Sequence, residues 1–205
     1  ICLDPAPDAP AFAVCDHHIV AEYDDAEALD ELCRRSDVVT YEFENVPGEV
    51  LIPLTEKYNI PQGYRPLYDS QDRIREKSNA RDNGLHVPRF ADVCDRESLM
   101  MGIEEIGYPC VFKTRTLGYD GHGQVVIRTA EDVAKTEPYI GTPAIQEEFV
   151  PFDYEASIVM DNDGKRVVSF PVGATINRHG IPDPITMPAQ RISAASRLCL
   201  VNRGH

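Results

Sequence analysis

Membrane spans and metal-binding cysteine patterns are both absent from this 205-residue sequence. No apolar run approaches the ~18 residues that a membrane span requires. No basic, apolar leader segment is recognisable either. The six cysteines form neither a CxxC pair nor a Cys/His zinc spacing. We therefore expect a cytoplasmic protein with free, buried thiols and no membrane partner.

Positive charge is also scarce. The chain has 20 lysines and arginines against 34 acidic residues, which gives a net charge of −14. General nucleic-acid binding relies on basic patches, so we expect no nucleic-acid partner. A small anion can still bind wherever a few basic residues and backbone amides concentrate positive potential locally.

The most informative segment, residues 111–124, reads VFKTRTLGYDGHGQ. An apolar strand ends in Lys113, a glycine-rich loop follows, and the β pattern resumes at residue 125. This order predicts a hairpin-like phosphate clamp, in which lysine supplies charge and glycines let backbone amides approach an anion. It matches neither a Walker loop nor a dinucleotide fingerprint, both of which open a helix. The alternative is a glycine-rich β-hairpin with a solvated lysine. The loop consists of Gly118, Tyr119, Asp120, Gly121, His122, Gly123 and Gln124.

A second segment lies about two dozen residues downstream. A short apolar strand runs into Glu147, Glu148, Phe149 and Val150, and Glu155 opens the next strand. A purine needs a backbone edge and apolar faces, and a ribose needs a carboxylate to accept its hydroxyl hydrogens. The connector strand can supply the first and Glu155 the second. An ordinary exposed acidic turn is the alternative.

Periodicity predicts an α/β fold. A buried strand is predicted at residues 37–41, and a hairpin at 156–160 and 166–170. One-face apolar spacing and capping residues predict helices at residues 24–35, 47–58, 70–83, 96–105 and 131–136.

Several motifs in family order resemble the ATP-grasp enzymes. They include TYEFENVP at residues 40–47, QDR at 71–73, the glycine-rich loop, and EEFVPF at 147–152 with Glu155. Within that superfamily the chain is similar to the purine-pathway ligases that carboxylate aminoimidazole ribonucleotide with ATP and bicarbonate. The resemblance extends to about residue 171. It implies a partial Rossmann-like domain at residues 1–66, then an incomplete ATP-grasp domain, of α+β type, at 67–205.

The resemblance also implies roles for individual residues. Arg73 and Lys113 would hold the ATP phosphates, and the loop Gly118 to Gln124 would close over them. Tyr119, with Lys113, would act at the reacting carboxylate. Glu147, Glu148, Phe149 and Val150 would hold adenine, and Glu155 the ribose. Glu42 would contact the ribonucleotide substrate.

The chain departs from the family pattern at both ends. It lacks the first glycine-rich turn, and nothing after residue 180 matches the acid-rich magnesium site. We therefore expect an internal piece, inactive alone, of an enzyme that is a homodimer at full length. Mg²⁺ is expected with ATP, but no metal ligand is assigned within these residues. Two alternatives stay open: another ATP-grasp ligase, such as glycinamide ribonucleotide formyltransferase, or a degenerate nucleotide-binding module.

Overall fold

The computed structural model describes residues 1–116, 123–152, 155–175, 177–178, 181–182 and 186–189. These residues form two compact units. The first comprises residues 1–83 with the short segment 115–116, and the second begins at Gly84. The predicted domain boundary at residue 66 is not tested by this division and stays a prediction. Within the described residues, no helix has the length and apolar character to cross a bilayer.

The first unit opens with a parallel strand pair and continues as helices. Strands β1 (Cys2–Asp4) and β2 (His18–Val20) pair along their whole length, from Cys2 with His18 to Asp4 with Val20. Asp25 and Asp72 cap two of the helices by accepting backbone N–H groups at their first turns. The elements are β1 (Cys2–Asp4), a 3₁₀ helix (Pro10–Ala13), β2 (His18–Val20), α1 (Ala26–Arg34), α2 (Gly48–Lys57), α3 (Arg65–Ser70) and α4 (Arg73–Asp82).

Two sequence-based expectations for this unit differ from the structure. The helix expected at residues 70–83 begins three residues later, as α4 at Arg73, because Asp72 caps it, and the separate helix α3 (Arg65–Ser70), which the sequence did not predict, precedes it. The strand expected at residues 37–41 is not a strand. Instead, the Val39 N–H donates to Asn59 O, and the Gln62 side-chain amide bonds both the N–H and the C=O of Tyr41. That amide takes the place of a neighbouring strand.

The second unit is built on a four-stranded antiparallel sheet. From one edge to the other, its strands are β3 (Phe90–Val93), β6 (Ala144–Glu148), β4 (Cys110–Thr114) and β5 (Gln124–Ile127). Helix α5 begins at the Asp95 capping box and ends at Gly107, whose φ of 85° suits glycine. The elements are β3 (Phe90–Val93), α5 (Arg96–Ile106), β4 (Cys110–Thr114), β5 (Gln124–Ile127), a 3₁₀ helix (Ala130–Tyr139) and β6 (Ala144–Glu148).

One face of this sheet forms the core of the second unit. Alternate residues of the strands pack against α5 and the second 3₁₀ helix, and Phe112, Leu99 and Ile127 are fully buried. Gln146 also points to this side, where its Nε2 donates to the Cys110 Sγ at 3.0 Å. Because side chains alternate along a strand, the neighbours of these residues lie on the opposite face.

Short antiparallel pairs follow the main sheet. The predicted hairpin forms over fewer residues than expected, between β8 and β9. Glu155 to Ser157 does not join it but pairs with β10. The strands are β7 (Glu155–Ser157), β8 (Met160–Asn162), β9 (Val167–Ser169), β10 (Gly173–Thr175), β11 (Asn177–Arg178) and β12 (Ile181–Pro182).

Candidate functional site

The glycine-rich loop connects two paired strands, as the sequence predicts. Strands β4 and β5 are antiparallel neighbours, and Lys113 stands directly opposite Gln124. The Thr114 N–H donates to Gly123 O at 2.8 Å and closes the base of the loop. Gly123 has φ 69°, and a Cβ there would come within 2.5 Å of the Thr114 Oγ1. Glycine is thus required at this position both for backbone conformation and for space.

Polar groups gather on the sheet face turned away from α5. The pairing of β4 with β6 sets Lys113 diagonal to Glu147, and the Lys113 Nζ donates to Glu147 Oε2 at 2.8 Å. The Glu147 side chain is 5% exposed and that of Lys113 22% exposed. By strand alternation this face carries Val111, Lys113, Gln124, Val126, Ile145 and Glu147. Of its three apolar members, Val111 and Ile145 are buried, so the face combines a packed apolar base with a charged pair.

The two consecutive acids of β6 lie on opposite faces. Glu147 contacts Lys113, whereas the Glu148 carboxylate accepts from the Nε of Arg89 at 3.3 Å. The hydrogen bonds from Arg89 lower the pKa of Glu148. The sequence alone groups the two acids together, but their environments differ. Only Glu147 shares the face of Lys113.

The remaining predicted residues of the second unit follow β6. Phe149 is half-buried, its N–H donates to Pro109 O, and the Arg128 guanidinium lies 5.3 Å from its ring centroid. Val150 is exposed. Glu155 is exposed at the start of β7, opposite Thr175 of β10. Their assignment to adenine and ribose stays a prediction.

Five of the predicted loop residues lie outside the described residues. They are Gly118, Tyr119, Asp120, Gly121 and His122. Their assigned contacts with ATP and the reacting carboxylate therefore stay predictions. The two loop residues that the structure does describe, Gly123 and Gln124, form its closing end.

Glu42 and Arg73 belong to the first unit. Glu42 is exposed and follows Tyr41, the residue whose backbone Gln62 holds. Arg73 is half-buried at the start of α4, and its N–H donates to Arg115 O at 3.1 Å. The substrate-binding role of Glu42 and the phosphate-binding role of Arg73 also stay predictions.

Asp72 is a polar residue to which sequence reasoning assigned no role. It is buried, and its carboxylate accepts from Arg115 Nε at 3.1 and 3.0 Å and from Arg115 Nη2 at 2.6 Å. It also accepts the N–H groups of Ile74 and Arg75. Burial alone would raise the pKa of Asp72, but the Arg115 side chain and the two amides outweigh it and lower the pKa. In the sequence, the signal for Asp72 was its position between Gln71 and Arg73 in the QDR motif.

Gln71 is the second functional candidate that the sequence reasoning missed. Its Nε2 donates to the carbonyls of Glu44 and Val46, at 2.7 and 2.6 Å, and its Oε1 accepts from the Gly48 N–H at 3.0 Å. One side chain thus satisfies three backbone groups of the turn that follows Glu42. Asn45 and the other residues of that turn carry no obvious sequence signal for this contact.

No group of three metal-ligating side chains occurs among the residues for which the structure gives positions.

The comparisons with known proteins define the class of this chain. A family model described as an ATP-grasp domain matches residues 78–199, more than half of the chain, and the ribonucleotide synthetase preATP-grasp domain matches residues 1–65. The chain belongs to the ATP-grasp family, with the preATP-grasp domain preceding the ATP-grasp domain. This confirms the predicted fold class.

The relatives of this chain belong to a narrower group within that family. The chain is 39% identical over 192 residues to the N5-carboxyaminoimidazole ribonucleotide synthase of Staphylococcus haemolyticus, a match that covers 93% of this chain and 51% of the relative. Among solved structures, it is similar to an N5-carboxyaminoimidazole ribonucleotide synthetase in complex with ADP (TM-score 0.91, 37% identity, 98% of this chain and 54% of that one). The Staphylococcus aureus enzyme with ADP is comparable, with TM-score 0.90, 35% identity and the same coverage of both chains. The chain thus spans about half the length of these relatives.

Proposed function

We propose that this chain is the nucleotide-binding part of an N5-carboxyaminoimidazole ribonucleotide synthase. The complete reaction would use ATP and bicarbonate to carboxylate aminoimidazole ribonucleotide in purine biosynthesis. Three observations support this proposal. The relatives carry that name, two related structures hold ADP, and the sheet of the second unit carries a charged cluster at the base of the glycine-rich loop.

The single observation that carries the proposal is the position of Lys113. Its ammonium is held by a nearly buried carboxylate, one residue before the closed base of the loop. A lysine on a rigid strand is a fixed point charge for phosphate oxygens. Its stem lies on the same sheet face as Val111 and Ile145, both of which are buried.

The chemistry needs charge neutralisation and exclusion of water. A bicarbonate oxygen attacks the γ-phosphorus, the bond to the ADP oxygen breaks, and carboxyphosphate forms. Phosphate then departs, and the substrate amine attacks the carbon dioxide released. Phosphoryl transfer is catalysed mainly by positioning and by stabilising charge on the transferring group. Lys113 would stabilise that charge, and the loop would exclude water when it closes.

Other assignments extend this proposal. Glu147, Phe149 and Val150 would line the adenine, Glu155 would accept from the ribose, and Glu42 would contact the ribonucleotide. Magnesium, when bound, would neutralise the β- and γ-phosphates, and it commonly relies on the phosphates for several of its ligands. The five cysteines that the structure describes are free, which is in keeping with the reducing cytoplasm. A homodimer remains part of the proposal and is testable by sedimentation.

The first test is calorimetric titration of the chain with ATP. Lys113→Met should weaken binding by about 10- to 150-fold, the equivalent of one lost charge-assisted contact. Lys135→Met is the matched control, because its ammonium also pairs with an acid but is 66% exposed on the second 3₁₀ helix. Equal ATP affinity for the wild type and Lys113→Met would exclude the proposed nucleotide site.

The second test identifies the acceptor. Phosphate release from ATP is measured with bicarbonate and aminoimidazole ribonucleotide, in the protein that contains this chain together with any further domains. Release that depends on both compounds supports the proposal. Release that depends instead on a different amine or carboxylate would assign the chain to another ATP-grasp ligase.

A further inference from the structure

The segment that carries Glu42 is fixed at its start by a side-chain amide. In residues 41–48, here called the Glu42 segment, the Tyr41 N–H donates to Gln62 Oε1 at 3.1 Å, and Gln62 Nε2 donates to the Tyr41 O at 3.0 Å. The Tyr41 hydroxyl also donates to Gly63 O at 2.9 Å. A glutamine amide has the donor and acceptor of a peptide group, so Gln62 substitutes for a residue of a neighbouring strand. The backbone is therefore fixed one residue before Glu42.

A second glutamine fixes the end of the same segment. Gln71 Nε2 donates to the carbonyls of Glu44 and Val46 at 2.7 and 2.6 Å, and its Oε1 accepts the Gly48 N–H at 3.0 Å. Gly48 is buried, and a Cβ there would lie 2.7 Å from the Cα of Tyr68 in α3. Because that atom belongs to a helix backbone, any larger residue at position 48 would push the segment away from α3. Hydrogen bonding and close packing thus fix the far end of the Glu42 segment.

The residues between the two glutamine contacts are exposed. Glu42 and Phe43 both reach solvent, and the centroid of the Phe43 ring lies 5.3 Å from that of Tyr23. The Glu42 carboxylate is therefore accessible to a ligand, while the backbone that carries it is fixed on both sides. A loop without such contacts would lose backbone entropy on binding, and each residue that becomes ordered corresponds to about tenfold in affinity.

We propose that Gln62 and Gln71 are positioning residues for the ribonucleotide substrate. Their amides hold the backbone on either side of Glu42, so that its carboxylate is in place before the substrate arrives. Both glutamines act through the main chain of the Glu42 segment, and neither needs to touch the substrate. This inference rests on the proposed contact between Glu42 and aminoimidazole ribonucleotide, and its test separates the two.

The main variant is Gln71→Met, made in the protein that contains this chain together with any further domains. In phosphate release from ATP, it should raise the KM for aminoimidazole ribonucleotide about tenfold and leave the KM for ATP within about twofold. Deuterium exchange should become faster in peptides that cover the Glu42 segment. Asn59→Ala is the matched control, because the Asn59 amide also donates to a backbone carbonyl of this unit, that of Asp37 at 3.2 Å, but outside the segment. It should change neither quantity.

Three more variants complete the set. Leu29→Ala truncates a buried side chain of the same core and shows what a general loss of stability does to the two KM values. Gln62→Met changes an exposed side chain at the other end of the segment, and it provides the same test if Gln71→Met does not fold, as judged by circular dichroism. If Gln71 acts through Glu42, the double variant Glu42→Gln/Gln71→Met should have a KM for the ribonucleotide within about twofold of that of Glu42→Gln alone.

The outcomes are distinct. If Glu42→Gln raises the KM for the ribonucleotide about tenfold while the folded glutamine variants stay within about twofold of the wild type, the positioning role is refuted and the Glu42 contact stands. Equal rises in both KM values, as in Leu29→Ala, or additive losses in the double variant would also refute it. If Glu42→Gln leaves the KM for the ribonucleotide unchanged, or the wild type shows no turnover that depends on this compound, the proposed substrate contact fails, and the positioning role fails with it.

Discussion

Replacing Lys113 by methionine tests stability and ligand binding together, because Lys113 also contacts Glu147 within the sheet. The Nζ to Oε2 distance is 2.8 Å, and the Glu147 side chain is 5% exposed. Methionine matches the length of the lysine stem but removes the ammonium. The change therefore leaves a nearly buried carboxylate without this cation.

The magnitude follows from that burial. Removing one partner of a fully buried pair costs about 3–5 kcal/mol. The Lys113 side chain is 22% exposed, so water reaches the pair and replaces part of the lost interaction. We expect a loss of about 2 kcal/mol in the free energy of unfolding, which lowers Tm by about 4–8 °C for a chain of this size. The ATP affinity should fall independently, by the amount given above for one phosphate contact.

The double variant Lys113→Met/Glu147→Gln separates the two effects. Glutamine is neutral, so it removes the buried negative charge that has lost the Lys113 ammonium in the single variant. We therefore expect most of the lost Tm to return. ATP affinity should stay low, because no ammonium is restored. The assays are thermal unfolding by circular dichroism and calorimetric titration with ATP. If ATP affinity returned with stability in the double variant, Lys113 would be a structural residue and the phosphate contact would be wrong.

Three further changes probe the loop base, the buried acid and the turn near the substrate residue. Gly123→Ala should lower the free energy of unfolding by about 2–3 kcal/mol, through backbone strain and a clash with Thr114. The control is Gly141→Ala, where φ is 91° and the space is open, so only the strain of about 1–2 kcal/mol is expected. Thermal unfolding of both variants compares the two losses. Asp72 has a lowered pKa in the folded chain, so its contribution to stability is present above its ordinary value of 3.8 and is lost as pH falls through and below it. Denaturant titrations at a series of pH values should therefore show a shallower acid loss for Asp72→Asn, and an unchanged slope would contradict this assignment. Gln71→Met removes three hydrogen bonds to backbone groups and should cost about 2–3 kcal/mol in urea unfolding, with no change in the m-value; a loss below about 0.5 kcal/mol would mean that water replaces the amide.

The hairpin around the glycine-rich loop was predictable because its signals are local. An apolar run, a lysine, a glycine cluster and a second apolar run lie within 17 consecutive residues, 111–127, and the strands pair with each other. The helices α1, α2 and α5 were predictable for the same reason, to within two residues at each end. In each case capping residues and apolar spacing agree in one short window.

Features that depend on distant partners were not predictable. The segment at residues 37–41 has a strand-like pattern, but a side chain 21 residues away, Gln62, occupies its hydrogen-bonding edge. Strand β3 follows Pro88, a residue that favours an extended linker, and becomes a strand by pairing with β6. The approach of Lys113 to Glu147 depends on the register of β4 and β6, which the sequence does not encode locally.

The register also explains why adjacent motif residues have different roles. A shift of one residue between β4 and β6 would move Glu148 to the face of Lys113 and turn Glu147 toward the core. The observed register avoids this, because it places Gln146 beside Cys110 and the half-buried Glu148 beside Arg89. The pairs on the α5 side of the sheet therefore fix which acid faces Lys113. Gln146 lies on the core side of the sheet and does not contact the charged face. Substitutions at Gln146 that alter the register should nevertheless disturb that face, and a buried amide in the core contributes to the candidate site in this way.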